Sequence, residues 1–209
     1  MDSVTICNMA LMAAGIPPVT SFEETNNNAK LCKSFYPVLR DRVLRDHTWS
    51  FATAYHTLQQ STEASPDPAL PIQCVLPGDV IRIVGLLDNS SYRRIGDRIL
   101  VSAPNLTLVY IRRVEDPNLF DAAFIEALQN LISAEVVLSA SRDIQQAQYF
   151  RNEYDRKIAV ARSIDSQENT HAYQAPEAHS SFLAARNHGA VSGRHSKVVF
   201  VKGTAGKQV

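Results

Sequence analysis

No GxGxxG, GxxxxGK[ST], GxSxG or HExxH pattern occurs in the 209 residues, so the common dinucleotide, phosphate-loop, serine-hydrolase and zinc-protease sites have no sequence support. Cysteine is scarce. Cys7, Cys32 and Cys74 are odd in number and lack the CxxC spacing of a zinc knuckle or redox pair. Cys7 and Cys32 fall on apolar faces of predicted helices and read as small buried hydrophobes. No apolar run approaches the roughly 20 residues that span a bilayer, so no membrane partner is expected. Met1-Asp2-Ser3 lacks the basic start of a secretory signal. The expectation is a chain made and kept in a reducing cytoplasm.

Net charge is also missing: Lys plus Arg and Asp plus Glu are both 21, which gives no global argument for a nucleic-acid or membrane surface. The distribution is uneven. From Pro176 onward there are five basic residues (Arg186, Arg194, Lys197, Lys202, Lys207) and one acid, Glu177, leaving 16 basic against 20 acidic residues upstream. The tail is basic and the body acidic. Hydrophobic residues make up 45% of the chain, enough for the packed core of one or two domains.

Val4, Cys7, Leu11 and Ala14 recur at helical spacing and predict a helix over residues 3–14, capped by Asp2 or Ser3 and stopped by Gly15 and Pro17-Pro18. A second helix is predicted from near Glu24. Its stripe is Ala29, Cys32, Tyr36, Leu39 and Val43, widened by Leu31, Phe35 and Val38. Pro37 inside that pattern should kink or divide it, at a cost of about 3 kcal/mol. Short alternating runs follow: Ile72 to Leu76, Val80 to Leu87, Ser91 to Ile95, Arg98 to Ser102 and Leu106 to Val114. Turn residues separate them, which predicts an antiparallel meander. Helix returns at Asn118 or Leu119 with a face of Phe120, Phe124, Leu128, Leu131 and Leu138. After Ser141-Arg142-Asp143, the series Ile144, Ala147, Phe150, Tyr154, Ile158, Ala161 and Ile164 sustains helical spacing for about five turns.

The predicted fold is α+β. A four-helix bundle spans residues 1–60 and 115–170, a β-rich meander is inserted over 61–114, and an extended C-terminal arm covers 171–209. Phe35, Tyr36, Trp49, Phe124, Leu128 and Tyr154 are the expected bundle core. In the arm, Lys197-Val198-Val199-Phe200-Val201-Lys202 is strand-like and needs a partner, whether its own sheet, a neighbouring subunit or another protein.

Each candidate for chemistry has a structural explanation that is the stronger one. His47 beside Trp49 reads as a capping and packing pair at a helix end. Glu23/Glu24 and Asp165/Glu168 read as carboxylates on solvated helix ends or faces, without partners. His171, His179, His188 and His195 are about eight residues apart in a low-complexity arm, not at the helical or hairpin spacing that brings ligands together. The expectation is a protein without catalytic residues, metal or cofactor.

Ordered blocks along the chain carry a resemblance. They begin with Ala10-Leu11, Gly15, Ser21-Phe22-Glu23-Glu24, Ala29, Cys32, Phe35-Tyr36-Pro37, Arg40-Asp41, Leu44-Arg45 and Trp49-Ser50-Phe51-Ala52. Leu76-Pro77-Gly78-Asp79 with Arg82 follows, then Phe120-Asp121, Phe124 to Leu128 and Ala134-Glu135. The last blocks are Ala161-Arg162-Ser163-Ile164-Asp165-Ser166-Gln167-Glu168 and Ser181-Phe182-Leu183 with Ala185-Arg186. In this order, over residues 4–186, the chain resembles the tail tubular protein A-like adaptors of short-tailed bacteriophages, with Phe182 where that pattern has Trp. Residues 187–209 match no part of it.

The resemblance implies a head-to-tail connector in the virion, assembled in the host cytoplasm. It implies a homo-oligomeric ring, commonly of twelve copies, bound to the portal protein above and to the tail nozzle or another tail protein below. Genomic DNA would pass through the lumen without sequence-specific contact. Phe182 and Arg186 are then expected to anchor the arm, with Val198, Val199, Phe200 and Val201 pairing on a strand edge of the portal or adjacent subunit. The rival readings are a nucleic-acid-binding module using the basic tail, a wall-degrading enzyme, and another neck or completion protein.

Overall fold

The computed structural model describes residues 1–168. Asp2 accepts a hydrogen bond from the Thr5 N–H at 2.7 Å and starts helix α1, Ser3–Ala13. The helix stops in a Schellman turn. Gly15 takes a φ of 71°, its N–H donates to Met12 O at 3.0 Å, and the Ile16 N–H donates to Leu11 O at 2.9 Å. Helix α2, Asn27–Asp46, begins later than the spacing predicts. Asn26 caps it by accepting from the Ala29 N–H, while Glu24 is engaged by Thr20, Ser21 and Asn26 ahead of the helix.

Helix α2 runs through Pro37 and is not divided there. Pro37 and Lys33, whose carbonyl loses a donor to the ring, both lie on the exposed face, so water can replace the missing bond. Val38 does not widen the apolar stripe; it is 65% exposed. It follows the buried Tyr36 by two residues, which on a helix points it to the opposite side.

Pro117–Leu119 form a short 3-10 turn where the spacing predicts a helix start, and helix α3 occupies Ala122–Ala140. Asp121 caps α3 by accepting from the Ala123 N–H at 2.8 Å. Its buried residues surround the helix, and it packs against α1, α2 and the last helix, α4, Ile144–Glu168. By length and composition α3 would pass for a membrane span, with a mean hydropathy of 1.3, a run that the sequence reading overlooks. More than half of it is buried inside the protein, where its apolar side chains form the centre of the helical core. Ser133 on α3 donates to Ala10 O at 3.0 Å, which ties α3 to α1.

Among the described residues the strands form two three-stranded antiparallel sheets, so the fold is α+β. The strands are β1 (Thr53–Thr57), β2 (Ile72–Val75), β3 (Val80–Leu86), β4 (Tyr92–Ile95), β5 (Arg98–Val101) and β6 (Thr107–Arg112). One sheet has the order β1-β6-β3 and the other β2-β5-β4. Only β4 and β5 form a tight hairpin, through Gly96-Asp97, where Gly96 takes a φ of 58°. This differs from a single meander. The longer connections carry the chain from one sheet to the other, so that Leu86, Leu108 and Tyr110 of the first sheet meet Cys74, Ile99 and Val101 of the second in a shared core. Strand β1 is absent from the sequence reading although Thr53, Tyr55 and Thr57 alternate as strand residues do.

Tyr36 is buried, and its hydroxyl has no hydrogen-bond partner. Burial pushes its pKa up to about 12, against a small opposing pull from Arg40. The folded pKa lies above the ordinary tyrosine value of about 10, so the stability linked to Tyr36 is fully present below pH ~10 and is lost as pH rises toward 12. Tyr36→Phe should therefore be neutral or stabilising at pH 7 and should flatten the fall in melting temperature between pH 9 and 11. An unchanged alkaline fall in the variant would contradict this account.

Candidate functional site

The end of α2 is where the helical core meets the sheets. After Asp46 the backbone becomes extended at His47, and Trp49 follows with no exposed surface. The Trp49 ring meets Phe124 edge-on with centroids 5.2 Å apart and stacks on Phe51 at 5.9 Å. Phe120 closes the cluster, 4.9 Å from Phe124 and 5.8 Å from Phe51. The indole N–H donates to Val43 O at 3.0 Å, so its one polar atom is satisfied inside the core. A 3-10 turn, Ser50–Ala52, then leads into β1.

Arginines fasten this turn to the sheets. Arg82 of β3 donates to Thr48 Oγ1 at 2.8 Å, and Arg45 of α2 donates to Ile81 O at 2.7 Å. Asp41 holds two more cations: Arg113 at 2.9 Å and its nearly buried neighbour Arg40 at 2.8 Å.

Asp165, near the end of α4, stands at the centre of the junction and is 6% exposed. Its Oδ1 accepts from the Ser50 N–H at 2.9 Å and from the Ser50 hydroxyl, and its Oδ2 lies 2.9 Å from His47 Nε2. A carboxylate only accepts, so Nε2 carries the shared hydrogen. His47 in turn packs edge-on against Trp49 at 4.8 Å. Asp46 supports the same helix pair: Tyr154 of α4 donates to its Oδ2 at 3.0 Å, and Arg162 lies 3.5 Å from that oxygen. Burial and the Asp46 charge push the Tyr154 hydroxyl well above the ordinary tyrosine range.

His, Asp and Ser thus meet, but in an order that does not activate a nucleophile. Serine catalysis needs the imidazole on the hydroxyl and the carboxylate behind the imidazole. Here the hydroxyl hydrogen points to Asp165, and His47 sits on that carboxylate's other oxygen. The arrangement clamps two segments to the end of a third, as a buried carboxylate with several donors does. Among the described residues no group of three or more His, Cys, Asp or Glu side chains is placed to hold a metal ion.

Asp165 is the residue that sequence reasoning missed. The sequence places it with Glu168 on a solvated helix end or face, yet it is buried and bonded to His47 and Ser50. The available signal is its spacing, four residues after Ala161 and seven after Ile158, both buried. The apolar series instead runs from Ile144, which is 72% exposed, to Ile164, which is 39% exposed. Of the other carboxylates, Glu23 forms an exposed ion pair with Lys33 at 2.8 Å.

Trp49, Phe124, Leu128, Tyr36 and Tyr154 are buried in the helical core, and Phe35 packs against it partly exposed. The arm residues Phe182, Arg186, Val198, Val199, Phe200 and Val201, and His171, His179, His188 and His195, lie outside the described residues. No protein-family model matches the chain, and no curated protein matches it.

Proposed function

We propose that this chain is a structural, non-catalytic virion protein: a head-to-tail adaptor of short-tailed bacteriophages. One observation carries this reading. Trp49 to Ala52 and Ala161 to Glu168 resemble two separate parts of the adaptor sequence, and they meet through Ser50 and Asp165 although 115 positions apart. The contact fixes the end of α4, at Glu168, shortly before the proposed docking arm, residues 171–209.

On this reading the four helices form a bundle, the strands of the 61–114 region are an insertion into it, and residues 171–209 are an arm that orders on assembly. Ordering on assembly lets an extended segment cover more of a partner than a preformed face does. Phe182 and Arg186 anchor the arm, and Val198 to Val201 add a strand to the portal or the next subunit. Twelve copies form the ring, with the portal above and the nozzle or a further tail protein below. The acidic body lines a lumen that repels DNA and lets it slide, while the basic arm is steered to an acidic portal surface.

Light scattering tests this with the full chain alone, with its portal, and with a chain ending at Asn169. The full chain should add many copies to the portal, and the truncated chain should not. A full chain indifferent to the portal that binds DNA in a salt-dependent manner would favour a nucleic-acid-binding module instead. Binding to a tail component without the portal would favour another neck or completion protein.

A further inference from the structure

The two sheets among the described residues have four edges, formed by β1, β3, β2 and β4. An open edge is a template for a further strand, and proteins blunt most of theirs with bulges, charges or cover. On β3 the pairing with β6 shifts between Val80 and Arg82 and again between Ile83 and Gly85, and the Ile81 carbonyl accepts from Arg45 at 2.7 Å. Beside β2, Gln60 bridges to Cys74 and the Ser61 N–H donates to Gln73 O at 2.7 Å. Strand β4 is short, and its two arginines, Arg93 and Arg94, charge that edge.

Strand β1 has none of these devices. Its sequence, Thr-Ala-Tyr-His-Thr, contains no Pro, Lys, Arg, Asp or Glu, and it pairs with β6 in unbroken register. Two bonds fix which backbone groups face outward, because the N–H and C=O of a strand residue point to the same side. The Leu58 N–H donates to Leu106 O at 2.8 Å, so Leu58 faces β6. Thr107 O accepts from the Leu87 N–H at 2.9 Å, so Thr107 faces β3 and its partner Thr57 faces away from β6. By the same alternation Tyr55 faces away too. Their N–H and C=O groups line the open edge, and both residues are exposed, Tyr55 by 62%.

We propose that this edge receives Lys197 to Lys202 of a second copy, as a fourth strand beside β1 in the sheet β1-β6-β3. This rests on the ring of copies read above and names the acceptor of its strand. The segment Lys-Val-Val-Phe-Val-Lys has the β-branched and aromatic residues of a strand and lies outside the described residues. Its lysines oppose docking beside the arginines of β4 and meet no like charge on β1. Between Glu168 and Lys197 lie 28 residues, which span up to about 90 Å when extended and so reach a neighbouring copy. Main-chain bonds to Tyr55 and Thr57 supply affinity, and Phe200 beside the exposed Tyr55 ring supplies an aromatic contact.

The test uses the full chain carrying Val199→Pro, which disables its own strand, and a fluorescent peptide of residues 195–204. Fluorescence anisotropy should show saturable binding, and hydrogen exchange at the Tyr55 and Thr57 amides should slow when the peptide is added. Tyr55→Pro in the same chain removes an outward N–H and no bond to β6, and should weaken binding at least about tenfold. The exchange measurement decides the matter if that variant alters the fold, because it leaves β1 unchanged. Light scattering of the wild-type chain identifies the donor: a mass above one copy is expected, falling to one copy with either proline. Three results would each overturn the proposal: no peptide binding, binding without protection of Tyr55 and Thr57, or a wild-type monomer. No portal is present, so peptide capture at β1 by a chain that ignores the portal would remove the adaptor reading and leave the strand acceptor standing.

Discussion

Replacing Trp49 by alanine is expected to lower the free energy of unfolding by about 3–5 kcal/mol, the range for a large aromatic removed from a closed core. For a chain of this size that corresponds to a melting temperature roughly 10 °C lower. Two separate contributions make the effect large. The indole is fully buried and contacts Phe51, Phe124 and His47, so its removal leaves a cavity bounded by the rigid ends of α2 and α3. Its N–H also satisfies Val43 O, a carbonyl in the last part of α2. Trp49→Phe separates the two contributions. It keeps most of the aromatic packing and loses the hydrogen bond, and should cost about 1–2 kcal/mol. Denaturant titration followed by circular dichroism measures both, because the only Trp of the chain is gone from the variants. A loss below about 1 kcal/mol for Trp49→Ala would mean that the junction can collapse around the cavity and is not the rigid joint described here.

The second large effect is at Asp165. Asp165→Ala removes the acceptor for the Ser50 N–H, the Ser50 hydroxyl and His47 Nε2 in one step. Leaving buried donors unpaired costs more than the bonds themselves contribute, and about 2–4 kcal/mol is expected. Asp165→Asn keeps the shape but turns an amide NH2 toward one of the donors, so roughly half of the loss should remain. The loss should also be local. Amide hydrogen exchange over the last turns of α4, residues 161–168, should accelerate in Asp165→Ala more than exchange in α1 or the β4–β5 hairpin. A double-mutant cycle with His47→Ala and Ser50→Ala assigns the coupling to the two arms of the clamp. Uniform acceleration across the chain would show that Asp165 supports global stability without holding the end of α4. By contrast, loss of the exposed Glu23–Lys33 pair should change stability by less than about 0.5 kcal/mol.

The helices were legible because their burial follows a 3.6-residue period. Ala29, Cys32, Tyr36, Leu39 and Val43 of α2, and Ala147, Phe150, Tyr154, Ile158 and Ala161 of α4, are buried as their spacing requires. Caps refined the starts: Asn26 and Asp121 each accept from a first-turn N–H, which spacing alone does not locate. Strand pairing was not legible. Alternation states which side chains face inward, but β3 pairs with β6 and β2 with β5, and nothing in a two-residue period selects those partners. The junction was legible only in its apolar half. Trp49 and Phe124 announce a core, whereas Asp165 becomes a core residue only because His47 and Ser50, more than 100 positions earlier, supply its donors. A polar residue on a buried stripe is the sequence signal for such a clamp, and its partners come from tertiary structure.

We propose above that this chain is one subunit of a portal-bound ring. The most direct measurement is the mass of the complex of the full chain with its portal, by native mass spectrometry, compared with the chain ending at Asn169. The account predicts a full-length complex carrying twelve copies per portal and a truncated chain that leaves the portal bare. A portal with no bound copies, or one that binds the truncated chain equally well, would contradict it.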